Sequence, residues 1–210
     1  MLLHPLCLCA SVVIQNRMNP KAELRRKLRA FARDHSAAER ARDSSAICAQ
    51  IRMQRVWREA RAILFYHPTP DEPDIHSLIA EALAAGKTAT LPRYSAEKAH
   101  YTACAVRDLA LDLQQGNYGI HEPNSQCSIF DLKKLDLILV PGIGFALNGL
   151  RLGRGKGYYD RLLADIPAFK CGVAFDWQLA VEIPSEPHDI RLNSIVTPTR
   201  WHEVTGPHAA

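Results

Sequence analysis

The residues with the clearest chemical potential lie between Gly149 and Leu163, which read GLRLGRGKGYYDRLL. Gly153, Gly155 and Gly157 alternate with Arg154 and Lys156, and the pattern after them is helical. Glycines let backbone N–H groups approach an anion closely, and a following helix adds its dipole. With two interleaved cations, the stretch reads as a phosphate cradle. It is not a Walker A loop, because position 150 is Leu and position 157 is Gly rather than Ser or Thr. Nor is it a dinucleotide fingerprint, since the third glycine comes one residue early. A flexible surface turn is the plainer alternative. Asp160 follows three residues into the new helix. A carboxylate there would repel a bound phosphate unless a cation stood between them, and Mg²⁺, which takes few carboxylates plus phosphate oxygens, is the cation expected. The plainer role for Asp160 is to complement a helix N-terminus.

A second cationic feature is the N-terminal third. Residues 17–61 hold thirteen Lys/Arg against five Asp/Glu, whereas the 210-residue chain as a whole carries a net charge of +4. Lys21 and Arg25 are four apart and share a helical face. Such a segment invites an anionic partner or forms solvated helices. The six cysteines include no C-x-x-C pair, which excludes a zinc ribbon or thioredoxin-type motif and suits a reducing compartment. No apolar run reaches about 18 residues, so no spanning helix is expected.

These groups must be positioned by regular elements. Asn19-Pro20 is a helix start, and Leu24, Leu28 and Phe31 form its apolar stripe. Ser36 to Glu39 is a capping box for a second helix that turns Ile47, Cys48 and Ile51 inward. Residues 62–66 (AILFY) are a buried strand ending in the turn-rich HPTPDEPD, and a helix from Ile75 closes at Gly86. Residues 88–91 are a second strand broken by Pro92, residues 101–106 a third, and residues 116–123 a loop. Leu135 to Val140 is the strongest strand signal. A helix from near Gly157 stops at Pro167, and strands at 171–175 and 194–197 follow. This alternation predicts an α/β fold with a mainly parallel sheet. Sites on such sheets lie beyond strand C-termini, which directs attention to the loops after Tyr66, Leu91, Val140 and Phe175. Residues 1–17 are expected to be a disordered or non-native extension, a targeting or anchoring segment being the alternative, followed by one catalytic domain over 18–205.

The motif RLGRGKGYYD, preceded by VPGIGF, resembles the signature of the 5-formyltetrahydrofolate cyclo-ligase family. NPKAELRRKLR, PTPDE, LPRY, YGIHEP and PHD fit the same family in order, so the resemblance runs from about residue 19 to 200. It implies a three-layer α/β/α fold of the ribose-phosphate isomerase and CoA-transferase kind. It further implies ATP binding by Lys21, Arg25 and the loop Arg151, Leu152, Gly153, Arg154, Gly155, Lys156, Gly157, Tyr158 and Tyr159. Arg154 to Tyr158 would also border the folate, with Arg154, Lys156 and Tyr158 acting in catalysis. His67 and Glu72 would contact the pterin side, Arg93 would be a weaker site contact, and Asp160 and Asp189 would hold Mg²⁺. Asn193 departs from the family, whose members commonly show an acidic residue there, and residues 1–17 have no counterpart in it.

The implied reaction turns 5-formyltetrahydrofolate into 5,10-methenyltetrahydrofolate at the expense of ATP, in a cytoplasmic enzyme expected to be a monomer with no nucleic-acid or membrane partner. Rivals are a sugar-phosphate isomerase or CoA-transferase on the same fold, a thiamine-related paralogue that keeps the phosphate loop, and a basic nucleic-acid-binding module. The last has only its arginine-rich helices in support.

Overall fold

The computed structural model describes residues 19–95, 100–116, 119–164 and 166–205. The expected extension over residues 1–17 therefore lies outside the described residues, as does Tyr118 of the YGIHEP motif.

Helix α1 (Pro20–Arg33) begins as its sequence dictates: the Asn19 side chain accepts from the Lys21 N–H at 2.9 Å, and proline occupies N1. Its stripe differs from expectation. Leu28 and Ala32 are buried, but Phe31 is 56% exposed, because α1 packs on one flank of the fold and not into the central core. Helix α2 (Ala37–Arg52) carries the expected capping box, with Glu39 N–H donating to Ser36 Oγ and Ser36 N–H donating to Glu39 Oε2. A short helix, α3 (Arg55–Glu59), follows it and brings Trp57 into the core.

The main sheet contains β1 (Ala62–Leu64), β2 (Thr88–Ser95), β3 (His100–Val106), β6 (Leu137–Val140), β9 (Phe169–Val173), β10 (Ser194–Val196) and β11 (Trp201–Glu203). Its order is β11-β10-β9-β6-β1-β2-β3. The five central strands are mutually parallel, and both edges are antiparallel. Strand β2 runs through Pro92 instead of breaking there. The ladder to β1 stops at Thr90, so beyond it β2 is paired on one side only, where a strand tolerates proline.

Burial on both faces follows the two-residue period of the strands. Ile63, Leu137, Leu139, Cys171 and Val173 face α2, α3 and α4 (His76–Ala84), whereas Ala62, Leu64, Ile138 and Val140 face α6 (Tyr158–Leu163). The result is three layers. The end of the expected loop is a strand: β5 (His121–Pro123) pairs with β4 (Leu113–Gln115), which follows the one-turn helix α5 (Leu109–Asp112). A further hairpin joins β7 (Gly144–Phe145) to β8 (Arg151–Leu152). Leu28 of α1 packs against Ala146, Leu150 and Leu152 of this hairpin. That contact carries the Lys21 and Arg25 face of α1 to the glycine-rich loop. Among the described residues, no helix is long and apolar enough to cross a membrane.

Candidate active site

A cleft of about 470 Å³ opens at the C-terminal ends of the parallel strands. It collects Tyr66 and His67 after β1, Pro92 and Tyr94 in β2, Pro141 and Gly142 after β6, and the whole run from Arg151 to Asp160. The segment directly after Phe175 is not part of it; Trp177 there stacks on Phe175 and His35 instead. The cleft is completed from further on, by Glu186, His188 and Asp189.

The glycine-rich loop owes its shape to Gly155 and Gly157, at φ of 100° and 62°. Helix α6 has six residues and no side-chain cap, so the loop's own amides and cations, more than a helix dipole, are what it offers an anion. Arg25 braces the loop from α1, its Nε donating to the Gly153 carbonyl at 2.8 Å. Lys156 is exposed.

Arg151 points inward. Its Nη2 donates to Asp160 Oδ1 at 3.0 Å, its guanidinium lies 5.4 Å from the centre of the Tyr159 ring, and its buried Nε has no protein partner. The cation beside Asp160 is therefore an arginine of the same loop.

Across the cleft, the loop after β1 is held by Tyr66, whose buried hydroxyl donates to the Pro73 carbonyl at 2.7 Å. Within that loop, Glu72 N–H donates to the Thr69 carbonyl and Thr69 N–H to Glu72 Oε2. Arg154 Nη2 then reaches over from the glycine-rich loop to Thr69 Oγ1 at 2.8 Å and Glu72 Oε1 at 3.1 Å. Burial, with the charge of Glu72 second, pushes the Tyr159 phenol well up, so it stays protonated. Tyr94, Tyr101 and Tyr158 form an aromatic wall, with ring centres 5.1–5.6 Å apart.

At the α1 wall, the buried Lys21 Nζ donates to Asp189 Oδ2 at 2.7 Å and to Glu186 Oε2 at 2.5 Å. Burial opposes the ammonium charge, but the two carboxylates outweigh it and hold Lys21 above its usual range. Burial likewise works against the charge of Asp189, yet Lys21 and the Glu186 N–H hold that carboxyl below its usual range. One ligand atom each from Glu186, His188 and Asp189 lie within 4.8 Å of one another.

The cleft thus brings together Lys21, Arg25, His67, Glu72, Arg151 to Tyr159, Asp160 and Asp189. It leaves out two residues. Arg93 turns away to donate to the carbonyls of Asn124 and Cys127. Asn193 is spent in the sheet, where its Oδ1 accepts from the Lys170 N–H at 2.8 Å. Sequence reasoning missed Thr69, Tyr101, His121 and Glu186 as lining residues. His121 and Glu186 sit inside or beside the quoted motifs YGIHEP and PHD, whereas nothing local marks Tyr101.

With that geometry in place, comparison with known proteins is decisive. The 5-formyltetrahydrofolate cyclo-ligase family model matches residues 17–198. The chain belongs to that family. Mouse 5-formyltetrahydrofolate cyclo-ligase is 29% identical over 188 residues, covering 84% of this chain and 90% of the mouse protein. The solution structure of 5,10-methenyltetrahydrofolate synthetase from Aquifex aeolicus is 30% identical, with a TM-score of 0.79 over 90% of this chain and 95% of that one. A synthetase from Mycoplasma pneumoniae shares the fold at 20% identity, with a TM-score of 0.69 over 86% of this chain and 99% of that one. The cyclo-ligase match spans both walls of the cleft, since its residues run from Lys21 to Asp189.

Proposed function

We propose that the protein converts 5-formyltetrahydrofolate to 5,10-methenyltetrahydrofolate, with ATP consumed and ADP and phosphate released. The observation that carries this reading is the meeting of the glycine-rich loop and the Thr69–Glu72 loop in one cleft, bridged by Arg154, in a chain of the cyclo-ligase family. The formyl oxygen is a poor leaving group as hydroxide. Transfer of the γ-phosphoryl group to it gives an electrophilic carbon bearing a phosphate; N10 attacks that carbon and phosphate departs. Such chemistry needs in-line placement and charge neutralisation more than a protein nucleophile.

The residues are suited to those tasks. Arg25, Arg154 and Lys156 supply positive charge around the loop amides, and Lys21 becomes available to phosphate when its carboxylates are otherwise engaged. Arg154 stands between the two subsites and neutralises charge on the transferred group. The tyrosine wall and Glu72 receive and orient the pterin. His67 borders the same side.

Mg²⁺ fits the donor set, because Asp160, Glu186 and Asp189 bring hard oxygen ligands to the cleft wall. Asp189 would hold it with Glu186 and His188, whose ligand atoms lie within 4.8 Å of one another; Asp160 lines the same cleft and would join only by releasing Arg151. Bound with the nucleotide, Mg²⁺ supplies charge neutralisation on the phosphate oxygens. A cytoplasmic monomer with no nucleic-acid or membrane partner remains our reading of the chain's organisation. The test is to mix purified protein with Mg-ATP and 5-formyltetrahydrofolate and follow methenyl-folate absorbance. Turnover is expected with ATP and absent without it; no absorbance change in either mixture would overturn the reading.

A further inference from the structure

Three histidines gather at one rim of the cleft. His67 follows β1, His76 opens α4 and His121 opens β5. His67 and His121 line the cleft and His76 stands behind them. The Nε2 atoms of His67 and His76 are 3.4 Å apart. That is long for a hydrogen bond between two ring nitrogens. It is the separation of two nitrogens on one tetrahedral zinc ion, since Zn–N bonds of about 2.0–2.1 Å at the tetrahedral angle put the nitrogens about 3.3–3.4 Å apart.

The surroundings match a ligand pair as well. Asp74 Oδ1 lies 2.7 Å from His76 Nδ1 and also accepts the His76 backbone N–H at 2.9 Å. A carboxylate behind a histidine fixes the protonated nitrogen on its own side, leaving the Nε2 lone pair facing His67. The His121 ring centre is 5.0 Å from that of His67. Nothing in the proposed phosphoryl transfer uses the His67–His76 pair.

We propose that His67 and His76 form a binding site for a zinc-class divalent ion, through their Nε2 atoms, with water filling the remaining positions. Imidazole nitrogens favour such ions over Mg²⁺, so the site is chemically separate from the carboxylates at the other wall. An ion held there sits on the pterin side and obstructs folate entry. That consequence rests on the proposed function; binding of the ion does not.

The test is calorimetric titration of tag-free protein with zinc chloride in buffer containing excess Mg²⁺, with Co²⁺ absorption as a second probe of tetrahedral nitrogen ligation. One zinc per chain is expected. His76→Ala should weaken it at least about tenfold and Asp74→Asn about tenfold to a hundredfold, while His188→Ala leaves it unchanged. Should His76→Ala fold poorly, His76→Gln makes the same measurement. In turnover, zinc should raise the apparent KM for folate in the wild type and not in His76→Ala, whose activity without zinc should be unaltered. Absence of stoichiometric binding overturns the proposal. So does wild-type affinity in both the His76 and Asp74 variants, or loss of binding in His188→Ala instead. The calorimetric arm decides the metal site even if the chain fails to make methenyl-folate.

Discussion

Arg154→Ala separates what the bridge across the cleft does for the fold from what it does for the reaction. The Arg154 side chain is 50% exposed in its pair with Glu72. A solvent-screened pair of that kind contributes about 0.2–1 kcal/mol. In a chain of this size, that corresponds to a shift in Tm of at most about 4 °C. A preorganised cation facing charge that develops during transfer is worth far more. Removing one such donor is expected to lower kcat about tenfold to a thousandfold, or roughly 1.4–4 kcal/mol of barrier. The two effects should therefore come apart. Methenyl-folate formation measured across ATP and folate concentrations gives the kinetic side, and thermal unfolding gives the other. Arg154→Lys should fall between, because it keeps charge but loses the planar guanidinium whose Nη2 donates to both Thr69 and Glu72. A kcat within twofold of wild type, with only the folate KM raised, would refute the reasoning. So would a large drop in Tm that accounts for the lost activity.

Arg25→Ala is expected to raise the apparent KM for ATP with a smaller effect on folate, because it removes a brace of the loop and a ground-state phosphate contact; nucleotide calorimetry without folate checks it, with Glu72→Gln as the variant that should leave ATP binding nearly intact. Asp160→Asn should shift Mg²⁺ dependence upward and also cost about 1.5–3 kcal/mol of stability, since the Arg151–Asp160 pair is largely enclosed; unchanged Mg²⁺ dependence would remove the metal role. The Lys21–Asp189 tie fixes two limits of pH. Asp189 is held below its ordinary value of 3.8, so its contribution is present above that value and fades as pH falls below it. Lys21 is held above 10.5, so its contribution is present below that value and is lost at higher pH. Lys21→Met should flatten both limbs of a Tm-against-pH profile, and an unchanged profile would count against the tie. Burial pushes the Cys171 thiol up to about 12, so a thiol reagent at pH 8 should label it only in the unfolded chain, as peptide mapping would record.

Much of the cleft was legible because its chemistry is local in sequence. The glycines, Arg154 and Lys156 announce an anion site whatever surrounds them, and the capping box at Ser36 announces α2 from four residues. What stayed hidden depends on direction and distance. Spacing places Arg151 in the loop, but only packing against Tyr159 and Asp160 turns it inward. Pro92 reads as a strand end until the staggered ladders of β1 and β3 are known. Phe31 completes a helical stripe, yet α1 turns Leu28 and Ala32 inward and leaves Phe31 exposed, a choice of face that spacing alone does not make. Tyr101 enters the tyrosine wall because β3 pairs with β2, a fact of topology that no motif carries.

The tie between Lys21 and Asp189 joins positions 168 residues apart. During synthesis, α1 leaves the ribosome early with a lysine destined for burial and no carboxylate to meet it. The phosphate side of the cleft cannot be finished until the last parallel strand's leading loop has emerged. Until then, α1 is held by Leu28 against the β7–β8 hairpin and by Arg25 on the Gly153 carbonyl. A ribosome stalled before Glu186 would therefore display a sheet with most of its strands in place and a lysine still in water, folded in outline but unable to complete its nucleotide wall.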